Sequence, residues 1–226
     1  MFSMVAVANP HNYDILILRN LRAKIMSESS TLLTLSLTTF IRYYSMSHSK
    51  LVGEIARRMQ ASNGYDYYGS LTAAVRAKIS GASNDEIQHI LNRSSSPSEL
   101  SHNKAAYEMF LEKFGTKNNV EVFDKKGKVK LCGGKLVISV SPLFSMETSK
   151  SFDVYNIWAA QRPELERENA GVGVYLMQRA FLKTAPNYKY KMFNAVEGKM
   201  FAAVNKAIPQ AIDGLSKTIV EYASNS

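Results

Sequence analysis

The chain has 226 residues, 46% hydrophobic and 10% aromatic, which supplies a packed core and excludes a disordered chain. That length holds one ordinary domain, with room for an extension at most. A net charge of +9 favours anionic partners: nucleic acid, an acidic protein or an anionic membrane surface.

Residues Met1 to Ser45 read differently from the rest. They hold none of the 12 glycines and only two acids, Asp14 and Glu28. Their one compact apolar run, Leu32 to Ile41, is too short to span a bilayer, which takes roughly 20 residues. Three readings fit this segment: a targeting peptide, a structured extension, or sequence upstream of a start at Met46. The last is the expectation adopted, with residues 46–226 as a single domain.

Beyond it, Leu51, Val52, Ile55, Ala56 and Met59 make a one-face helical stripe with Ser49 as its cap, ended by Asn63-Gly64. Tyr68, Leu71, Val75 and Ile79 mark a second helix, stopped by Gly81. Ser83 and Glu86 form a capping box, each side chain serving the other's amide, at the start of a third helix with Ile87, Ile90 and Leu91 inward. After the Ser94 to Ser98 connection, Ser101 is expected to cap a fourth helix with Tyr107, Phe110, Leu111 and Phe114 inward, closed by Gly115.

The pattern then turns to strands. Val120 to Phe123 and Val129 to Cys132 flank Asp124-Lys125-Lys126-Gly127-Lys128, which reads as a hairpin turn. Gly133-Gly134 turns the chain into Lys135 to Val140, and Phe152 to Trp158 forms a further strand after Pro142 and a polar stretch. A helix opening at Pro163 carries Ala170, Gly173, Val174, Met177 and Phe181 on one face, with small residues suited to close packing on a sheet. Two more helices are expected, one through Phe193, Val196, Met200 and Val204, the other after Pro209 through Ile212, Leu215, Ile219 and Tyr222. The expected class is α+β: a helical N-terminal half, a small antiparallel meander of three or four strands, and C-terminal helices on the sheet.

The residues offer little catalytic chemistry. Gly171 and Gly173 lack the third glycine and the strand-to-helix context of a dinucleotide cradle. The four histidines show no short-spaced metal pair, and no metal or cofactor is expected. Cys132, the single cysteine, excludes an internal disulfide and suits a reducing compartment, hence a cytoplasmic location; it reads as a small packing residue. Glu164, Glu166 and Glu168 suit the positive end of the helix that follows them. An enzyme would have to assemble its site from scattered acids such as Asp124, Glu147 and Asp153.

Residues 120–183, strands followed by a helix, resemble in element order the core of restriction-endonuclease-like nucleases. Those enzymes need an acid and then an acid-x-lysine on the next strand. Asp124 supplies a first acid, but Lys135 to Val140 has no carboxylate, and Glu147 to Lys150 misses the spacing by one. The resemblance covers element order alone.

What stands out is basic charge interleaved with tyrosine. Lys125, Lys126, Lys128, Lys130 and Lys135 cluster on the expected hairpin, and Tyr188-Lys189-Tyr190-Lys191 follows Pro186. Lysines neutralise phosphates and exposed tyrosines stack on bases; lysines on an edge strand also block aggregation. The expected function is a non-enzymatic interaction or accessory protein with a basic surface, the alternative a nucleic-acid-binding protein with a nuclease-like fold lacking catalytic acids.

Overall fold

The computed structural model describes residues 31–60, 66–94, 96–149 and 151–225. In chain order these form β1 (Leu33–Ser36), α1 (Leu37–Tyr44), α2 (His48–Gln60), α3 (Gly69–Ile79), α4 (Asn84–Leu91) and α5 (Pro97–Phe114). Then come β2 (Val120–Val122), β3 (Gly127–Leu131), β4 (Leu136–Val140), β5 (Phe144–Glu147) and β6 (Phe152–Trp158). The remaining elements are α6 (Arg167–Phe181), β7 (Lys189–Asn194), β8 (Lys199–Phe201) and α7 (Ile208–Ser224). The class is α+β, as the sequence pattern indicates.

The sheets are not a meander. Three strands run in the order β1-β4-β3, parallel between β1 and β4 and antiparallel between β4 and β3. Five run β2-β5-β6-β7-β8, with β6 and β7 parallel and the other neighbours antiparallel. The parallel β6–β7 pair exists because α6 is the crossover between them, long enough to return the chain to the same end of the sheet.

That crossover lies between the two sheets. Ala170, Val172, Val174, Leu176, Met177 and Phe181 are all buried, so α6 is apolar around most of its girth, as a helix packed on several sides must be. Its glycines set the spacing: a Cβ on Gly171 would stand 2.6 Å from Ile208 Cδ1, and one on Gly173 2.6 Å from Met192 Sδ. The expected close helix–sheet approach is therefore present. Around α6 sits one core with Leu35, Phe40, Ile41, Ile138, Val154 and Trp158. A second core fills the opposite face of the five-stranded sheet, where α3, α4 and α5 bring Leu71, Val75, Ile87, Leu91 and Phe110. There Phe114 meets the edges of Phe144, Tyr155 and Phe193 at 4.8, 5.2 and 5.1 Å.

Several expectations are corrected. The boundary placed after Ser45 runs through packed structure: β1 pairs in register with β4, and Leu35, Phe40 and Ile41 are fully buried. Residues 1–30, and the Asn63-Gly64 helix stop, lie outside the described residues. The Asp124 to Lys128 segment is not a hairpin turn, because β2 pairs with β5 and β3 with β4, in different sheets. The link instead passes over the last turn of α6, so closely that a Cβ on Gly127 would stand 2.8 Å from Ala180 Cβ. Residues 120–183 thus feed two sheets, unlike the single-sheet core whose element order they resemble.

Residues 193–204 do not form a helix. Phe193 and Met200 face each other across β7 and β8, joined by a tight turn in which Gly198 takes φ +69°. Ser96, not Ser101, caps α5, accepting from the Glu99 amide at 3.2 Å, with Pro97 in the first turn. Helix α6 opens at Arg167, four residues beyond Pro163, with Glu166 and Asn169 as a reciprocal capping pair. The Ser83–Glu86 capping box forms as expected, with Glu86 Oε2 accepting from the Ser83 amide at 2.8 Å. Among the described residues no helix is long and apolar enough to cross a membrane.

Candidate polyanion-binding surface

Alternation along β3 sorts its side chains. Val129 and Leu131 turn inward to the α6 core, and Lys128 and Lys130 turn out and are exposed. In register with them on β4 stand Ser139 and Val137, and beyond those on β1 stand Ser36 and Thr34. Thr34 and Ser36 are exposed, Ser139 half-buried and Val137 buried, so the exposed groups on this face of the three-stranded sheet are polar and basic. Lys135 is exposed just past the turn made by Gly133 (φ +65°) and Gly134 (φ +95°).

Lys125 and Lys126 are exposed on the β2–β3 link. Lys125 Nζ lies 5.5 Å from the centroid of the Tyr188 ring, within cation–π range. Tyr188 is half-buried and packs on Phe152, centroids 5.2 Å apart, and on the edge of Phe123. Phe152, the first residue of β6, is 38% exposed, so part of its ring meets solvent beside the Tyr188 ring that Lys125 covers. In the sequence pattern Phe152 marks only a strand start.

The Tyr188 to Lys191 segment is divided by its strand. Tyr190 is buried, stacks on Phe181 and donates its hydroxyl to the Ala185 carbonyl at 3.0 Å, so its ring has no free face for a base. Burial, aided by Tyr188, pushes its hydroxyl up to about 12. Lys189 is exposed, opposite Asp153 in register, and Lys191 Nζ donates to Asp153 Oδ2 at 2.7 Å. By strand alternation these two lysines lie on the sheet face away from Tyr188. The structure thus joins Lys125 to Tyr188, keeps Lys126, Lys128, Lys130 and Lys135 at the surface, and separates Lys189, Tyr190 and Lys191 from them.

The scattered acids do not converge. Asp124 pairs with Arg76 at 2.7 Å, Asp153 with Lys191, and Glu147 is exposed at the end of β5. Among the described residues no three of His, Cys, Asp and Glu are grouped to hold a metal ion. Cys132 is half-buried, and burial together with Asp213 raises its thiol above the ordinary value despite Lys217 and Lys135. That is the opposite of an activated thiolate. Glu168 accepts from the Tyr44 hydroxyl at 2.8 Å, tying α1 to the start of α6.

No known protein family matches the chain, and no curated protein matches it either. Among solved structures the crystal structure of SSO0001 is similar over 78% of this chain and 87% of that one, at 12% identity and a TM-score of 0.35.

Proposed function

We propose that this chain is a non-enzymatic interaction protein whose basic surface binds single-stranded nucleic acid. The observation that carries the reading is the open ring of Phe152 against Tyr188, with Lys125 over Tyr188 and Lys126, Lys128 and Lys130 following along the chain. Lysines alone would suit any polyanion. An exposed aromatic platform at their edge adds stacking, which unpaired bases supply and a duplex or an acidic peptide does not. Exposed Thr34 and Ser36 on β1 extend the polar character of the face that carries Lys128 and Lys130.

The test is binding of the full chain to single- and double-stranded oligonucleotides over a salt series, beside a variant with Lys125, Lys126 and Lys128 changed to Ala. Tighter binding of the single strand, with a log–log salt slope about 2 shallower in the variant, is the expected result. No binding at low salt, or identical slopes, would remove the reading.

A further inference from the structure

A second feature lies where β1 and β4 end, beside the last residues of β6. A cleft of about 440 Å³ opens there, bounded by α1, α2 and the start of α3. Its volume falls in the range of small-molecule sites, roughly 300–1,000 Å³.

Two guanidinium groups line it, Arg42 from α1 and Arg58 from α2. Neither has an ion-pair partner among the described residues, and the one hydrogen bond of Arg58 is a long 3.4 Å contact to the Thr34 carbonyl. Both side chains line the same cleft, so an anion bound there can be met by both guanidinium groups.

The first turn of α1 lies against the same space. Ser36 caps the helix, accepting from the Thr39 amide at 3.1 Å, and Ser36, Thr38 and Thr39 all border the cleft. This turn contains no acid, so no side chain of its own offsets the positive end of the helix. One acid, Asp66, shares the lining, and its Oδ1 is held by the Tyr68 amide at 3.2 Å.

A third, independent observation comes from β6. Asn156 is only 8% exposed and borders the cleft. Its amide donates to the Ile157 carbonyl at 3.4 Å, a long bond that leaves the group able to take a polar partner from the cleft. Leu71, Leu143, Tyr67 and Tyr68 supply apolar and aromatic surface to the remaining wall, and Thr72 and Ser141 add hydroxyls.

We propose that this cleft binds a phosphate monoester of mononucleotide size. Arg42, Arg58 and the first turn of α1 hold the phosphate, Asn156 pairs with the organic part, and that part lies against Leu71, Leu143 and the tyrosines. The cleft contains none of the surface lysines and meets their sheet face at Ser36. Its phosphate comes either from a free nucleotide or from the terminal phosphate of a strand.

Calorimetric titration of the full chain separates these sources. The probes are inorganic phosphate, adenosine and uridine monophosphates, their unphosphorylated nucleosides, and a short oligonucleotide with and without a terminal phosphate, all in about 0.15 M chloride. Saturable binding of the monophosphates, about tenfold or more above the nucleosides, identifies a free nucleotide; the same preference confined to the end-phosphorylated strand identifies the second source. Either result supports the site, provided Arg42→Ala and Arg58→Ala each weaken binding of the phosphorylated probe about tenfold, while the lysine triple variant retains monophosphate binding or, for the strand, the preference for the end-phosphorylated form. Arg58→Lys, which keeps the charge but loses the planar fork, is expected to fall between the parent and Arg58→Ala. Absence of saturable binding by every phosphorylated probe, or binding unchanged in both alanine variants, overturns the proposal.

Discussion

Gly173 and Met192 are in contact across the interface between the central helix and the five-stranded sheet: a Cβ at 173 would come within 2.6 Å of Met192 Sδ and 2.9 Å of Ile41 Cδ1. Gly173→Ala therefore forces two fully buried side chains to shift, and an overpacked core typically loses about 1–3 kcal/mol. Gly214, in α7, has nothing within 4 Å of the same position. Gly214→Ala is expected to stabilise by about 0.4–1 kcal/mol through a less free unfolded chain and better helix propensity. Urea midpoints at unchanged slope check both, and the opposite signs make the pair self-controlling.

Lys191 holds the buried carboxylate of Asp153, whose other oxygen, Oδ1, has no hydrogen-bond partner among the described residues. Lys191→Met leaves that charge in the sheet without its cation, a loss on the order of 3 kcal/mol. Adding Asp153→Leu removes the stranded charge and is expected to recover most of the loss. If the double variant is no more stable than Lys191→Met by urea unfolding, the pair is not what makes the single change costly.

The elements that were legible in the sequence are those whose pattern is local. The Ser83–Glu86 box, the Leu51–Ile55 stripe of α2 and the small-residue face of α6 need only their own few turns to be recognised. The errors share a different cause. Phe193, Val196, Met200 and Val204 fall three and four residues apart, as on a helix, yet Phe193 and Met200 are cross-strand partners in a hairpin. β7 is covered on both faces, with Met192 and Phe193 each fully buried, so it lacks the alternation that marks a half-exposed strand. β1 finds its partner β4 roughly a hundred positions on, and β2 and β3 join different sheets. Such pairings leave no local trace. The lysines of the candidate surface were readable because charge is a local property; Phe152 and the Arg42–Arg58 cleft were not, because distant segments meet to form them.

Alkaline pH provides a test of the buried hydroxyl of Tyr190. Burial, with Tyr188, raises it to about 12 in the folded chain from an ordinary 10.0. Lys191 is also raised: burial opposes its charge, but its bonds to Asp153 and the influence of Tyr155 outweigh that. For both groups the folded value lies above the unfolded one. Their contribution is complete below about pH 10 and is lost as pH rises through the folded values, because the unfolded chain releases the protons first. Tyr190→Phe should lower stability near neutrality by about 1 kcal/mol, through the lost bond to Ala185. Between pH 10.0 and about 12 it should make the decline shallower by about 1.4 kcal/mol per pH unit. Parallel pH profiles for the two proteins would show that Tyr190 ionises equally in both states.

Phe152 and the lysines make separable contributions to strand binding. Counterion release depends on the number of phosphates neutralised, so removing lysines changes the salt slope as well as the affinity. Removing the Phe152 ring takes away a stacking platform and no charge. Phe152→Ala should weaken binding of an oligonucleotide by about 1–3 kcal/mol while leaving its salt slope unchanged. Phe152→Trp, which offers a larger π-face at the same exposed strand start, should restore binding. A Phe152→Ala protein that binds as tightly as the parent would reduce the surface to an electrostatic patch, open to any polyanion, and would withdraw the preference for unpaired bases.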